Sequence, residues 1–587
     1  MSQDLNKIKH STAHLIAAAV LKLYPKTKLA IGPAIEDGFY YDFDFKEKIS
    51  EEDLIKIEKE TEKLIKANLV FKKKKVDPEK ALELFKNQPF KLELIKQLKK
   101  EGEKEITLYE SGDFTDLCQG PHVEKSSQIG AFKLLSLAGA YWKGDEKKPM
   151  LTRIYGVAFK TKAELKKYLQ QLEEAKKRDH RKLNRDLKIY QTSDLLGTGL
   201  VTLLPKGTII AEELENWAKE TEKKQGYVHV LSPNIAKEDL FKKTGHIPYY
   251  SENMYPPMRM EEKGQKEKGN YYLKPMNCSF HALVFKSEPR SYRDLPLRVA
   301  EYGTVYRYEK SGELHGMMRV RGPIHQNDGH IFCTEEQAEG EFQKVMDLHL
   351  HYYNSLGLTK KDYFLSFATR DKENKEKYLG SDQMWEKAER IALGCIKKSK
   401  LPYEIEEGGA AFYGPKIDFN IKTVTGKSFS ASTNQLDYFI PKAFDLRYTT
   451  KNGQLKTPVI IHRAPLGAHV RFIAFLMEHF AGAFPTWLSP IQAIILPITD
   501  DQLDFAQKIA KQLKETKIRT EINDDSEPIG AKIRKAEKEK IPFILVIGQK
   551  EVDGNQVNLR KRGGHQEGAK DIQEIIKLIR KEIDNKL

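Results

Sequence analysis

Cysteine is nearly missing from this sequence: four occur in 587 residues, Cys118, Cys278, Cys333 and Cys395. So few cannot form a disulfide framework, and they suit a reducing cytoplasm. Long apolar runs are missing too. The one leader-like run, residues 15–21, is short and falls inside a helical apolar period, so the sequence predicts a soluble chain with neither a secretory leader nor a bilayer-spanning helix. No internal repeat marks a solenoid, and low complexity is confined to charged loops such as residues 261–269. What the chain has in excess is positive charge, 99 Lys and Arg against 84 Asp and Glu, for a formal net charge of +15. Such a field attracts a polyanion; RNA, DNA and an anionic membrane surface all satisfy it, and solvated Lys-rich helix faces produce the same count.

With 40% hydrophobic residues, the chain is long enough for about three domains. Residues 5–23 carry apolar side chains at helical spacing, and Gly, Pro and aromatic residues at 32–45 break the pattern into turns and short strands, which predicts an α+β domain over 1–161. The charged stretch 162–189 contains neither Gly nor Pro and predicts one connecting helix with a basic face. Residues 190–488 mix strand-like runs such as 459–462 with amphipathic helices such as 337–356, forming the largest domain. From 489 to 587 strand and helix alternate, the pattern of a compact α/β domain.

The large domain holds Arg307-Tyr-Glu309 on a strand-like segment, then the loop 310–317, then Arg319-Val-Arg321. An arginine beside a glutamate on an extended strand can grip a phosphate while the carboxylate takes amino or ribose donors, with Arg319 returning from the partner strand; a structural salt-bridge ladder has the same signature. Arg471, in Gly467-Ala-His-Val-Arg471-Phe at a predicted helix start, can lie over an adenine ring or a terminal phosphate. Near the N-terminus, His10-Ser-Thr-Ala-His14 places two imidazoles on one helix face, and Cys118-Gln-Gly-Pro-His122 adds a second pair. The missing Glu after His10 argues against a zinc protease.

The order of these pieces resembles motifs 2 and 3 of the class II aminoacyl-tRNA synthetases. Leu204-Pro-Lys-Gly207, Glu213-Leu-Glu-Asn216 and Gly226-Tyr followed by Ser232-Pro233 are similar to the dimer-forming motif 1 of that class. Lys274-Pro-Met-Asn-Cys278, Ala300-Glu-Tyr-Gly303, Ser311-Gly-Glu-Leu-His-Gly316, Gly380-Ser-Asp-Gln-Met-Trp385, Ala411-Phe-Tyr-Gly-Pro-Lys416 and Ile461-His-Arg-Ala464 narrow the resemblance to the threonyl-tRNA synthetases of bacterial type, over nearly the whole chain. It implies a multidomain α+β fold: a class II antiparallel-sheet catalytic domain, an N-terminal α+β editing domain and a C-terminal α/β anticodon-binding domain. It also implies a homodimer that activates threonine with ATP and Mg2+, transfers it to tRNA(Thr), and hydrolyses seryl-tRNA(Thr).

Residue by residue, the resemblance implies a Zn2+ ion held by Cys278, His330 and His462. One thiolate and two imidazoles leave a position open for substrate, although buried Cys and His are more often plain core residues. Arg307, Glu309, Arg319, Arg471, Gln435 and Lys416 form the implied catalytic set. Threonine falls to Gln326, Asp328 and Tyr413, with Asp328 at its hydroxyl and Gln326 at its amino group. Serine lacks only a methyl, worth about 1–3 kcal/mol, so a second, hydrolytic sieve is expected. His10, His14, Lys91, Tyr109, Asp116, Cys118 and His122 would form it without metal, though their ligand-like spacing also invites a second zinc. Glu551 and Arg560 would read anticodon base edges, the alternative being an exposed hairpin with ordinary surface charge.

Three departures qualify the resemblance. The family usually carries a further domain ahead of the position of His10, and this sequence begins close to it. Pro323-Ile-His325, with one residue inserted, stands where an adenine-stacking Phe is usual, and His325 is expected to take the stack. Ser430 replaces a usual Gln and Val470 a usual Glu. Other readings are a catalytically idle RNA-binding paralogue, a stand-alone seryl-tRNA deacylase, and a sister synthetase of prolyl or glycyl type, the last disfavoured by the Cys278, His330 and His462 set.

Overall fold

The computed structural model describes residues 3–586 except 36, 146, 261–268, 310–313 and 424–427. The charged loop 261–268 and the start of the 310–317 loop, with Ser311, lie outside the described residues. The chain divides into two compact units, Met1–Glu173 and Glu174–Leu587.

In the first unit the helix Gln3–Leu23 is apolar on more than one face: Ala13, Leu15, Ile16, Ala17, Ala19 and Val20 are fully buried. At about 1.5–3 kcal/mol for each buried Leu, Ile or Val, packing anchors this carrier of His10 and His14 far more firmly than helix propensity does. It packs on an antiparallel sheet whose main strands are Gly38–Asp44, Met150–Phe159 and Ala131–Tyr141. A second antiparallel sheet, Phe71–Val76, Ile106–Ser111 and Phe114–Leu117, sets Asp116 opposite Tyr109 and ends one residue before Cys118.

The stretch 162–189 is two helices rather than the single one expected, Lys162–Arg178 and His180–Leu187. Between them Asp179 leaves the helical conformation, and its carboxylate accepts the Arg181 backbone N–H at 2.8 Å. An Asp N-cap inside a charged run restarts a helix, a signal that charge patterning alone hides.

The second unit is built on an eight-stranded sheet in the order Val228–His229, Leu297–Tyr306, Pro323–Cys333, Val459–Ala464, Ser428–Asp437, Lys416–Lys422, Tyr363–Thr369, Tyr403–Glu407. Its interior pairings are antiparallel and its two edge pairings parallel. Val459–Ala464 is buried at every position, as a central strand covered on both faces requires. Further along, Thr520–Ile522, Ala493–Pro497 and Phe543–Ile547 form a parallel sheet extended by the antiparallel hairpin Val557–Lys561 and His565–Lys570.

Candidate active site

Directly opposed residues on neighbouring strands share a face of the sheet. The register sets His330 opposite His462, His462 opposite Gln435, and Gln435 opposite Lys416, so one row crosses four strands. That row lines a cavity of about 640 Å3, together with Cys278, Arg307, Gln326, Asp328, Tyr413 and Arg471. Twelve residues chosen from the sequence as catalytic, threonine-binding or zinc-binding therefore reduce to ten brought together and two, Glu309 and Arg319, left outside the wall. Those two hold each other: Arg319 Nη2 and Nε donate to Glu309 Oε2 at 2.9 and 3.1 Å. Arg319 does not return on a strand; it closes a turn bridged to His315, and the strand carrying the motif ends at Tyr306, one residue before Arg307.

The electrostatics of the cavity favour an anion. Arg307 Nε is buried with no hydrogen-bond partner among the described residues. Arg471 donates from Nε to the Met318 carbonyl at 2.8 Å, and burial, then the like charges of Arg307 and Arg319, pushes its pKa down to about 10. A polyphosphate entering here would relieve both guanidinium groups.

At the other end, His330 Nε2 and His462 Nδ1 face each other at 2.8 Å. Their outer nitrogens are engaged, His462 Nε2 with Asp437 Oδ2 at 2.9 Å and His330 Nδ1 with His281 Nδ1 at 2.7 Å. Cys278 opens the helix Cys278–Lys286 in the same wall; its sulfur lies 3.6 Å from His246 Nε2, and burial pushes its thiol pKa far above the usual range. Two inward imidazole nitrogens, each ring backed on its far side, and a thiol in the same cavity wall have the donor chemistry of a Zn2+ site, but their ligand atoms are not among the groups of described residues that converge within 4.8 Å. Tyr413 stacks on His462 at 4.7 Å and its hydroxyl donates to Gln435 Oε1. Asp328 Oδ2 accepts from Asn277 Nδ2 at 2.8 Å.

The expected adenine stack on His325 is contradicted. On Pro323–Cys333 the even residues Ile324, Gln326, Asp328 and His330 line the cavity, whereas His325 points to the other face and meets Glu215 Oε2 at 3.2 Å. By the alternation of the strand, Ile324 takes the cavity position. Ser430 lines the cavity, and Val470 packs in the core.

In the first unit, ligand-type atoms of His10, His14, Cys118 and His122 lie within 4.8 Å of one another. Cys118 Sγ is 3.3 Å from His10 Nε2 and 3.2 Å from His122 Nε2. His10 Nδ1 donates to the Pro121 carbonyl at 3.3 Å, and His122 Nδ1 meets Ser11 Oγ at 3.0 Å. Lys91 pairs with Asp116 at 2.5 Å, both buried, and the Tyr109 ring lies 4.4 Å from His122. Burial holds His10, His14 and His122 below the usual imidazole pKa and pushes the Cys118 thiol up to about 11, so all four are neutral at pH 7. Sequence reasoning missed Tyr41, whose hydroxyl donates to Asp116 Oδ2 at 2.6 Å and accepts from Lys91 Nζ at 3.2 Å. It also missed Ser11, His246 and the His281 and Asp437 partners above; Ser11, lying between His10 and His14, was the one with a local signal.

Glu551 and Arg560 sit in the C-terminal part, on the helix Gln549–Asp553 and the strand Val557–Lys561. Glu551 Oε2 caps the Gly548 N–H at 3.0 Å, while Arg560 is half-buried with no ion pair among the described residues.

Comparison with known proteins agrees with this geometry. Residues 259–480 match the tRNA synthetase class II core domain (G, H, P, S and T), residues 492–582 an anticodon binding domain, and residues 106–155 the threonyl and alanyl tRNA synthetase second additional domain. The sheet and its arginine-lined cavity are thus the core of a class II aminoacyl-tRNA synthetase, in a multidomain α+β chain. The chain is 45% identical over 564 residues to the threonine–tRNA ligase of Dehalococcoides mccartyi, covering 96% of this chain and 94% of that one. It is 46% identical over 567 residues to that of Thermus thermophilus, covering 94% and 85%. A solved structure described as the RNA binding domain of threonyl-tRNA synthetase from Cryptosporidium parvum superposes with a TM-score of 0.64 at 34% identity, over 69% of this chain and 98% of that one. This chain belongs to the threonine–tRNA ligase family.

Proposed function

We propose that the cavity of the second unit activates threonine with ATP and passes it to tRNA(Thr), and that the cluster of the first unit hydrolyses seryl-tRNA(Thr). The observation that carries the reading is one cavity holding both an anion grip, Arg307 and Arg471, and an amino-acid end, His330, His462 and Cys278. ATP arrives as its Mg2+ complex; Arg307 holds the α-phosphate while the threonine carboxylate attacks in line, and Arg471 takes the departing pyrophosphate. Gln326 and Asp328 orient the amino and hydroxyl groups, and Gln435, fixed by Tyr413, and Lys416, in the same row, border the reacting centre. When bound at Cys278, His330 and His462, Zn2+ supplies a Lewis-acid position that accepts the amino and hydroxyl groups of threonine and discriminates against valine. Glu309 positions Arg319.

Serine passes that filter with only a methyl missing, so hydrolysis elsewhere is needed. In the first unit the neutral imidazoles His10, His14 and His122 are proton acceptors for a water molecule, Tyr109 and Cys118 border the ester, and the Lys91–Asp116 pair fixes the wall. Glu551 and Arg560 read the anticodon, in a division of labour over 1–161, 162–189, 190–488 and 489–587. A homodimer in the cytoplasm completes the reading. Leu231, 88% exposed, follows the edge strand Val228–His229, itself begun by the exposed Val228, apolar surface that a second copy would cover. Among the described residues no helix is long and apolar enough to cross a membrane.

Pyrophosphate exchange with threonine, serine and valine, on protein of measured zinc content before and after chelation, tests the reading. Exchange with threonine and serine, little with valine, and loss on chelation is expected. No exchange with any amino acid on zinc-loaded protein would end it.

A further inference from the structure

Behind the His330–His462 pair runs a buried chain of polar groups. Lys274 Nζ donates to Glu301 Oε1 at 3.1 Å, and the Ser232 backbone N–H donates to the same oxygen at 3.0 Å. Glu301 Oε2 meets His281 Nε2 at 3.0 Å, His281 Nδ1 meets His330 Nδ1 at 2.7 Å, His330 Nε2 meets His462 Nδ1 at 2.8 Å, and His462 Nε2 meets Asp437 Oδ2 at 2.9 Å. Lys274, His281 and Asp437 are completely buried and Glu301 is 1% exposed, so no water competes for these contacts.

The protons in this chain can be counted. Both ends are carboxylates, which only accept, so His281 Nε2 and His462 Nε2 must each carry a proton. Between Glu301 and Asp437 lie four contacts, and three neutral rings bring three N–H protons. With all three rings neutral one contact is left with lone pairs facing each other, and a fourth proton or a metal ion closes it. Of the residues in the chain, only His330 and His462 line the cavity.

We propose that Glu301 and His281 are positioning residues that set the tautomer of His330, holding its proton on Nδ1 and presenting Nε2 to the metal. The Glu301 carboxylate fixes the proton of His281 on Nε2; His281 Nδ1 then accepts from His330 Nδ1–H, and the His330 Nε2 lone pair points at the His462 Nδ1 lone pair. Asp437 does the same for His462 in one step, through Nε2. The inference rests on the reading that Zn2+ occupies this site.

An isosteric change inverts the chain. In Glu301→Gln the amide oxygen must take the Oε1 place, because Lys274 Nζ and the Ser232 N–H can only donate to it. The amide NH2 then faces His281 Nε2 and donates. His281 carries its proton on Nδ1, His330 must accept there, and its Nε2 becomes an N–H that cannot bind a metal. Because Lys274 would lose its counter-charge, Lys274→Met with Glu301→Gln is made alongside; the Ser232 N–H still directs the amide.

Zinc affinity of the full chain, by competition with a chromophoric chelator, is expected to fall about 10–100-fold in either variant. Histidine-selective 15N spectra should move the His281 proton from Nε2 to Nδ1. Folded variants with unchanged zinc affinity and an unmoved proton would overturn the proposal. If the unaltered chain takes up no zinc while the proton still moves, the zinc reading falls and tautomer control by Glu301 stands.

Discussion

Cys118 Sγ is bracketed by His10 Nε2 at 3.3 Å and His122 Nε2 at 3.2 Å, whereas Cys278 Sγ turns to His246 at 3.6 Å and leaves His330 and His462 facing each other. By convergence of ligand-type atoms alone, the first cluster is the better metal site. What stands behind the rings reverses that order. His10 and His122 are backed by a carbonyl and a hydroxyl, and the one carboxylate beside the cluster among the described residues, Asp116 at 3.8 Å from His14, is paired with the Lys91 ammonium at 2.5 Å. His462 is backed by Asp437 and His330, through His281, by Glu301. Negative charge behind an imidazole raises its basicity toward a cation, and the Lys91 ammonium offsets the Asp116 carboxylate in the first cluster. That difference in backing charge is what the proposed split rests on, ester hydrolysis in the first unit and a metal ion in the second.

The largest effect expected from breaking either side is at Lys91. Lys91→Met leaves Asp116 buried without its partner, which costs about 3–5 kcal/mol. Hydrogen exchange should show the Gln3–Leu23 helix losing protection, with deacylation of seryl-tRNA abolished and pyrophosphate exchange retained. Arg307→Ala is the mirror case. Removing one preorganised donor costs about 2.7–4 kcal/mol, or 10²–10³ in rate, so exchange should collapse while deacylation persists.

Zinc content sharpens the comparison next. One ion per chain is expected, retained in His122→Ala and lost in His462→Ala. Two ions per chain, one of them lost in His122→Ala, would mean that backing charge does not decide between the clusters.

Acid discriminates further. Burial lowers the pKa of His14 well below 6.5 and lowers that of His10, while in the unfolded chain both titrate near 6.5. Above that value neither state binds the proton and stability is flat. As pH falls below it, the unfolded chain takes up protons that the folded cluster refuses, so stability is lost toward acid. Protection of the first helix should therefore decline below about pH 6.5. Deacylation should rise through no thiolate limb between pH 7 and 9, because the Cys118 thiol titrates at about 11.

These contrasts differ in how far the sequence discloses them. His10 and His14 are four residues apart on one helix, and Cys118 and His122 four apart on one turn, so local spacing alone brings each pair together. Asp437 lies 25 residues before its partner His462, Glu301 20 after His281, and Tyr41 75 before Asp116. No local period joins them; strand register and packing do, and register is a property of the assembled sheet. The row from His330 to Lys416 was reachable only through resemblance, for the same reason. The break at Asp179 was written in the sequence as an N-cap residue but masked by the charges around it.

The smallest expected effect tests the phase of one strand. Alternate side chains of Pro323–Cys333 face opposite ways, which puts Ile324, 5% exposed, in the cavity wall and His325 against Glu215. The His325 side chain is 38% exposed, so its loss removes a solvent-screened ion pair worth about 0–1 kcal/mol. His325→Ala should leave the KM for ATP within about twofold, since an interaction of that size on the far face of the strand barely reaches the cavity. Ile324→Ala removes apolar surface from the cavity itself, at about 0.8 kcal/mol per methylene-sized group, and should raise the KM for ATP by more than its neighbour does. Pyrophosphate exchange at varied ATP ranks the two. A larger shift in the histidine variant would mean that adenine reaches the Glu215 side of the sheet, and that the alternation on Pro323–Cys333 does not govern nucleotide binding.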